Sequence, residues 1–205
     1  IKAVCEEIGK YATENNLRLT FHPGPFNILA SSKPEVVRRT IKELRQHSQL
    51  FDMMELAPSH YNKINIHIGA AYKDKWAVCE KWCENYNLLD EHTKKRLTIE
   101  NDDKASLYTV YDLYTRVHSK VGIPIVMDFH HHYCHPGDLT SMDSFQLAAS
   151  TWTSARPVVH YSSAKRLFED STAKIQAHAD YIYDEVPQEV FERADVMFEA
   201  KAKEK

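Results

Sequence analysis

Six short apolar runs, spread along the whole chain, each stop at a side chain able to bind a metal ion. Leu17–His22 (LRLTFH) ends in His22, Lys63–His67 (KINIH) in His67 and Arg96–Glu100 (RLTIE) in Glu100. Ile123–Asp128 (IPIVMD) ends in Asp128, Pro157–His160 (PVVH) in His160 and Ala194–Glu199 (ADVMFE) in Glu199. An ionisable group at the end of a buried strand costs free energy unless it is paired or metal-bound. A single such run would mean little; the recurrence carries the weight. Strands alternating with helical stretches argue for a parallel sheet. Ligand-type residues at every strand end argue for a parallel β/α barrel that gathers a site on its top face. An open doubly wound sheet is the alternative, but it predicts one crevice at a switch point rather than ligands on every strand.

The helical stretches follow the same alternation. Ile1–Asn16 reads as an amphipathic helix with Val4, Ile8 and Tyr11 on one face. A helix around Pro34–Leu56 is expected to be capped by Ser31 or Ser32, with proline in its first turn. Further helices are expected around Asp74–Tyr86, Leu107–Lys120, Ser141–Thr153 and Pro187–Arg193. The stretch HHHYCHPGD after Asp128 reads as a long polar loop, and Ser162–Ala177 as another that delivers His178. A closed barrel of this type has eight strands. The chain shows six and opens in mid-helix without Met, so the expectation is one α/β domain over residues 1–205. It would be a TIM-type parallel β/α barrel lacking its first two β/α units.

No apolar run is long enough to span a bilayer, and no signal-peptide pattern is present, so no membrane partner is expected. Cys79 and Cys83, four residues apart on a helix, do not have disulfide or zinc-ribbon spacing, and a reduced, cytoplasmic setting is the reading. The formal charge of −3 does not advertise nucleic acid. Three divalent ions would reverse its sign and concentrate positive charge where the ligands converge.

Twelve histidines are many for 205 residues, and they are not equivalent. His47, His60, His92 and His118 lie on helices or in loops and read as ordinary histidines. Asp128 and His131, spaced D-x-x-H, share one strand terminus. Imidazole and carboxylate without thiolate suit Zn²⁺, Mn²⁺ or Fe²⁺. A carboxylate such as Glu100 can bridge two ions. Clustered divalent ions suit phosphoester hydrolysis, since they bind non-bridging oxygens, activate water and stabilise the leaving oxyanion.

The series HPGPFNILASS, NIHIGAAYKDK, LTIENDD, PIVMDFHHH, VVHYSS, AHADY and DVMFEAKAKE, in order over essentially the whole chain, resembles the ultraviolet damage endonuclease family. DFHHH, IENDD and EAKxKE together are specific. That family is similar to endonuclease IV, a β/α barrel with a three-metal site, often manganese. The resemblance implies a metal-dependent repair enzyme that nicks damaged double-stranded DNA on the 5′ side of ultraviolet photoproducts. It would act as a monomer in cytoplasm or nucleoid, or in a nucleus if the source is eukaryotic. It implies that His22, His67 and Glu100 hold one ion, that Glu100 bridges to a second held by Asp128, His160 and Glu199, and that His131 and His178 hold a third. Glu100, Asp128 and Glu199 are then the catalytic carboxylates. Tyr72, Lys73 and Lys75 follow His67 and are expected to meet phosphates.

The chain departs from the family pattern in three places, one being the expected lack of the first strands, which would supply part of the DNA-binding groove. Where many members have Gln and then an aromatic after HPG, to probe the lesion, it has Pro25 and Phe26; Phe26 can still stack or wedge beside an extruded base. Where some members carry a carboxylated Lys two residues before the His of VVH, it has Val158, and Asp180 is a candidate substitute. Two other functions compete: a metal-dependent sugar isomerase or epimerase on a related barrel, and a non-catalytic lesion-binding protein.

Overall fold

A computed structural model describes residues 1–203. Six parallel strands form one sheet in chain order: β1 (Thr20–Phe21), β2 (Lys63–Ile66), β3 (Leu97–Glu100), β4 (Ile125–Asp128), β5 (Val158–Tyr161) and β6 (Asp195–Phe198). Each strand pairs with the next, with Asn65 beside Thr98, Asp128 beside His160 and His160 beside Met197. The sheet is curled into part of a barrel, so that His22 after β1 lies 5.9 Å, ring to ring, from His160 on β5. All six expected strands are present; five are shorter than their apolar runs, and β5 has the length of its run but starts one residue later.

The strands alternate their side chains between two unlike faces, as period-two geometry requires. Ile64, Ile66, Leu97, Ile99, Ile125, Met127 and Val159 point to the helices and join Trp82, Phe51, Leu44 and Phe145 in the main core. Each such side chain contributes about 1.5–3 kcal/mol on burial. The inner face is polar in layers. Lys63 Nζ donates to Thr20 Oγ1 at 3.0 Å, and above it Thr98 Oγ1 donates to Asn65 Oδ1 at 2.8 Å. Below, Arg18 joins three segments at once: Nε donates to Tyr61 O, Nη2 to His60 O, and Nη1 to Arg156 O and the Asp195 carboxylate.

Helix α1 (Lys2–Glu14) crosses the end of α2 (Pro34–Met53) through Cys5, Gly9 and Ala12. A Cβ on Gly9 would lie 1.8 Å from Met54 O, so only glycine allows this approach. The face carrying Val4, Ile8 and Tyr11 is therefore exposed, one step round the helix from the small-residue seam that packs. The α2 N-cap is Lys33, without a side-chain cap; Ser31 Oγ instead accepts from the Lys33 N–H. Helix α3 (Lys75–Tyr86) is capped by Asp74, which accepts from the N–H groups of Trp76 and Ala77, and a short α4 (Glu91–Lys94) precedes β3.

The expected helix from Leu107 starts later. Thr109 and Asp112 form a reciprocal capping box on α5 (Val110–Leu113), which widens into a π-turn, Tyr114–His118, before α6 (Ser119–Val121). The stretch after Asp128 is not a loop: Phe129–Cys134 is a helix, α7, because the Asp128 carboxylate caps it by accepting from the His131 N–H at 2.7 Å. Helix α8 (Ser141–Ser150) follows it. The loop after β5 also contains a helical turn, α9 (Lys165–Phe168), and α10 (Gln188–Arg193) leads into β6. No helix among the described residues is long and apolar enough to cross a membrane.

Candidate metal centre

Glu100, at the end of β3, is the hub of the strand-end cluster. Its side chain is 1% exposed. Oε2 lies 3.2 Å from His22 Nε2 and 3.3 Å from His160 Nδ1; Oε1 lies 3.3 Å from His131 Nδ1 and 3.9 Å from His67 Nε2. Asn65, two residues before His67 on the same inward face, donates its side-chain amide to Glu100 Oε2. Four strands thus aim imidazoles at one carboxylate. Burial pushes the Glu100 carboxyl up, but the His160 and His67 charges and the close approach of His131 and His160 outweigh it and hold it well below the ordinary range. In return, burial pulls His131 and His160 down, but Glu100 and its carboxylate neighbours push them up to about 10 and about 9.

A second focus lies beside the first. Asp128 is fully buried, and Glu199 Oε1 lies 3.0 Å from His160 Nδ1. Asn101 clamps both backbone groups of Asp128, accepting from its N–H at 2.8 Å and donating to its carbonyl at 3.1 Å. The Asn101 carbonyl faces His131 Nδ1 at 2.9 Å, which directs that ring. Glu199 is 30% exposed and is the most open of the three carboxylates; burial raises it, but the close, charged His160 imidazole holds it below its usual value.

Three sets of side chains bring ligand atoms within 4.8 Å of one another: His22, Glu100 and His160; His67, Glu100 and His131; Asp128, His160 and Glu199. These sets can hold divalent metal ions. The donor atoms support that chemistry, since Asp128 Oδ2 and both ring nitrogens of His160 are buried without an aligned hydrogen-bond partner among the described residues. An unsatisfied buried polar atom costs about 1–3 kcal/mol, and three in one cluster are explained together by cations. His178 belongs to none of the three sets; its Nδ1 faces Glu199 O at 3.2 Å and its ring packs against His130 and His131.

A cavity of about 500 Å³ opens above the cluster, lined by His22, Pro25, His67, His131, Asp103 and Lys104 among others. Phe26, between the lining residues Pro25 and Asn27, is 75% exposed, and Tyr72 and Lys73 are exposed on the loop after β2. Lys75 departs from expectation. Its ammonium lies 2.8 Å from Asp112 Oδ2 and over the Tyr108 and Trp76 rings, so it braces α3 against α5 and is not a free cation. Asp180 is likewise engaged, its carboxylate 3.4 Å from Lys165 Nζ, and Val158 packs with Val126 and Trp152. All four cysteines are free. Asn65 and Lys104 escaped sequence reasoning as site residues, Asn65 carrying the signal of its position two before His67; Asn101 stands in the IENDD motif beside Glu100.

The family model described as UV-endonuclease UvdE matches residues 1–205. The UV DNA damage endonuclease of Bacillus thuringiensis subsp. konkukian (strain 97-27) is 34% identical over 207 residues, covering 97% of this chain and 62% of that protein. That of Bacillus mycoides (strain KBAB4) is 33% identical with the same coverage. The chain thus spans about three-fifths of the length of the curated relatives it matches. The crystal structure of SacUVDE superposes with a TM-score of 0.83 at 31% identity, over 98% of this chain and 66% of that one. The 3-keto-D-glucoside 4-epimerase of E. coli superposes over 98% of this chain and 78% of that one, with a TM-score of 0.68 at 11% identity, a likeness of fold alone.

Proposed function

The chain belongs to the UV-endonuclease UvdE family, and from that premise we propose that it carries the catalytic centre of a DNA repair endonuclease that nicks 5′ to ultraviolet photoproducts in duplex DNA. The observation that carries this reading is the convergence of four imidazoles and three carboxylates, Glu100 at their centre, from the ends of six strands, with buried donor atoms left unsatisfied. His22, His67 and Glu100 would hold one divalent ion, Glu100, Asp128, His160 and Glu199 a second, and His131 with His178 a third, with manganese favoured. Ions held there would supply Lewis acidity toward the phosphate oxygens and an acidified water.

The residues do the rest. Glu199, through the oxygen turned away from His160, accepts the proton of the attacking water as the new oxygen–phosphorus bond forms and the bond to the 3′ oxygen breaks. That oxygen leaves as a 3′ hydroxyl after taking up a proton from solvent water. Asp128 and Asn101 fix the end of β4 so that attack is in line. Phe26 enters the duplex at the lesion, Pro25 stiffens the turn that presents it, and Tyr72 and Lys73 meet the backbone phosphates.

A labelled duplex with one cyclobutane dimer, incubated with the protein and Mn²⁺, should yield a single product ending in a 3′ hydroxyl on the 5′ side of the dimer. Glu100→Gln should lower both bound metal, by elemental analysis, and product. Equal nicking of undamaged duplex, or full metal content in Glu100→Gln, would overturn the reading.

A further inference from the structure

We propose that Asp102 is a positioning residue for His67. Its carboxylate holds a proton on Nδ1 and so leaves Nε2, the nitrogen turned to Glu100, bare for a cation. The inference rests on the metal-centre reading above and deepens it. Asp102 Oδ1 lies 3.1 Å from His67 Nδ1, and that nitrogen has no aligned hydrogen-bond partner among the described residues. The opposite nitrogen, Nε2, is 3.9 Å from Glu100 Oε1. A neutral imidazole carries one proton, and the partner of one ring nitrogen decides which nitrogen is free to bind a metal.

Asp102 is buried and belongs to none of the three ligand sets among the described residues. It is also held in place. Its backbone N–H donates to Tyr108 O at 2.9 Å, and its Oδ2 accepts from the Tyr108 N–H at 3.4 Å. The Tyr108 hydroxyl lies 2.9 Å from Ala70 O and 3.0 Å from Lys75 O, which ties the loop after β3 to the loop that begins at His67. One carboxylate oxygen is thus engaged by the loop and the other faces the imidazole. A carboxylate anchored on one side cannot swing in as a ligand; it can hold a ring.

The test compares the chelator-treated protein with Asp102→Asn and Asp102→Glu by calorimetric titration with Mn²⁺ and by the visible spectrum of the Co²⁺-loaded protein. Asparagine still offers Tyr108 an oxygen, so the loop is kept while the charge is lost. The expected result is that Asp102→Asn weakens one ion roughly tenfold to a hundredfold, alters the Co²⁺ spectrum and leaves the metal-free melting temperature unchanged. Asp102→Glu should recover part of the affinity. Wild-type affinity and spectrum in Asp102→Asn would overturn the inference and reduce Asp102 to a loop brace. Failure of the unmodified protein to bind either metal would overturn the metal centre itself, and this role with it.

Discussion

Phe26 and Glu100 mark the extremes of what a single residue can be asked to do here. Phe26 is three-quarters exposed and is not among the residues of the core. Phe26→Ala should weaken binding to photoproduct duplex by about 1–3 kcal/mol, the scale of one base–aromatic stack, without changing the melting temperature; fluorescence anisotropy and a thermal melt read the two effects separately. Glu100 has the opposite character, buried and surrounded by partners. Its importance was legible because a carboxylate ending an apolar run has no cheap explanation. The residues that aim it were not legible. Asn65 and Asn101 are neutral amides of a kind that turns and caps use freely, and only the fold reveals that they face Glu100 and Asp128.

Elements were legible where periodicity is long and hidden where a cap decides. The strands and α2 and α3 stand close to their expected places. Helix α7 reads as a loop in the sequence because its polar composition carries no amphipathic signal, while its start is fixed by Asp128, which the strand pattern also claims. Likewise the capping box at Thr109 moves the next helix three residues later than its apolar pattern suggests. Thr109→Ala should cost about 0.5–2 kcal/mol of stability, the usual worth of an N-cap, seen as a lower chemical-denaturation midpoint. Mn²⁺ affinity should be unchanged, since Thr109 touches no member of the ligand cluster.

Over the whole molecule, the charge stored in the centre should make stability depend on pH in a readable way. In the metal-free protein His131 and His160 have folded values of about 10 and about 9, above the ordinary 6.5. A raised histidine contributes stability that is complete below about 6.5 and is lost as pH climbs through the folded value. Lys63 acts with the opposite sign: burial lowers it to about 8, so the cost of its buried charge is relieved above that pH. The melting temperature of chelator-treated protein should therefore fall steeply between pH 6.5 and 8, fall more gently to about 9 as Lys63 offsets one of the two histidines, and level off between about 9 and 10. A melting temperature that rises across that first interval would refute the assignment. The parallel, curled sheet was legible at this scale, since ligand residues at every strand end demand a common rim. The polar stack beneath the rim was not, because Lys63, Asn65 and Thr98 are unremarkable until alternate strand positions are seen to share an interior.

Arg18 has a consequence in time rather than in space. Its guanidinium joins Tyr61, Arg156 and Asp195, residues up to 177 positions away. Such contacts cannot form until nearly the entire polypeptide has collapsed into order, because closing so long a loop precedes any reward. The side chain therefore acts as a latch thrown last. Arg18→Lys should leave the refolding rate almost untouched and hasten unfolding, giving a molecule that assembles on schedule and falls apart early.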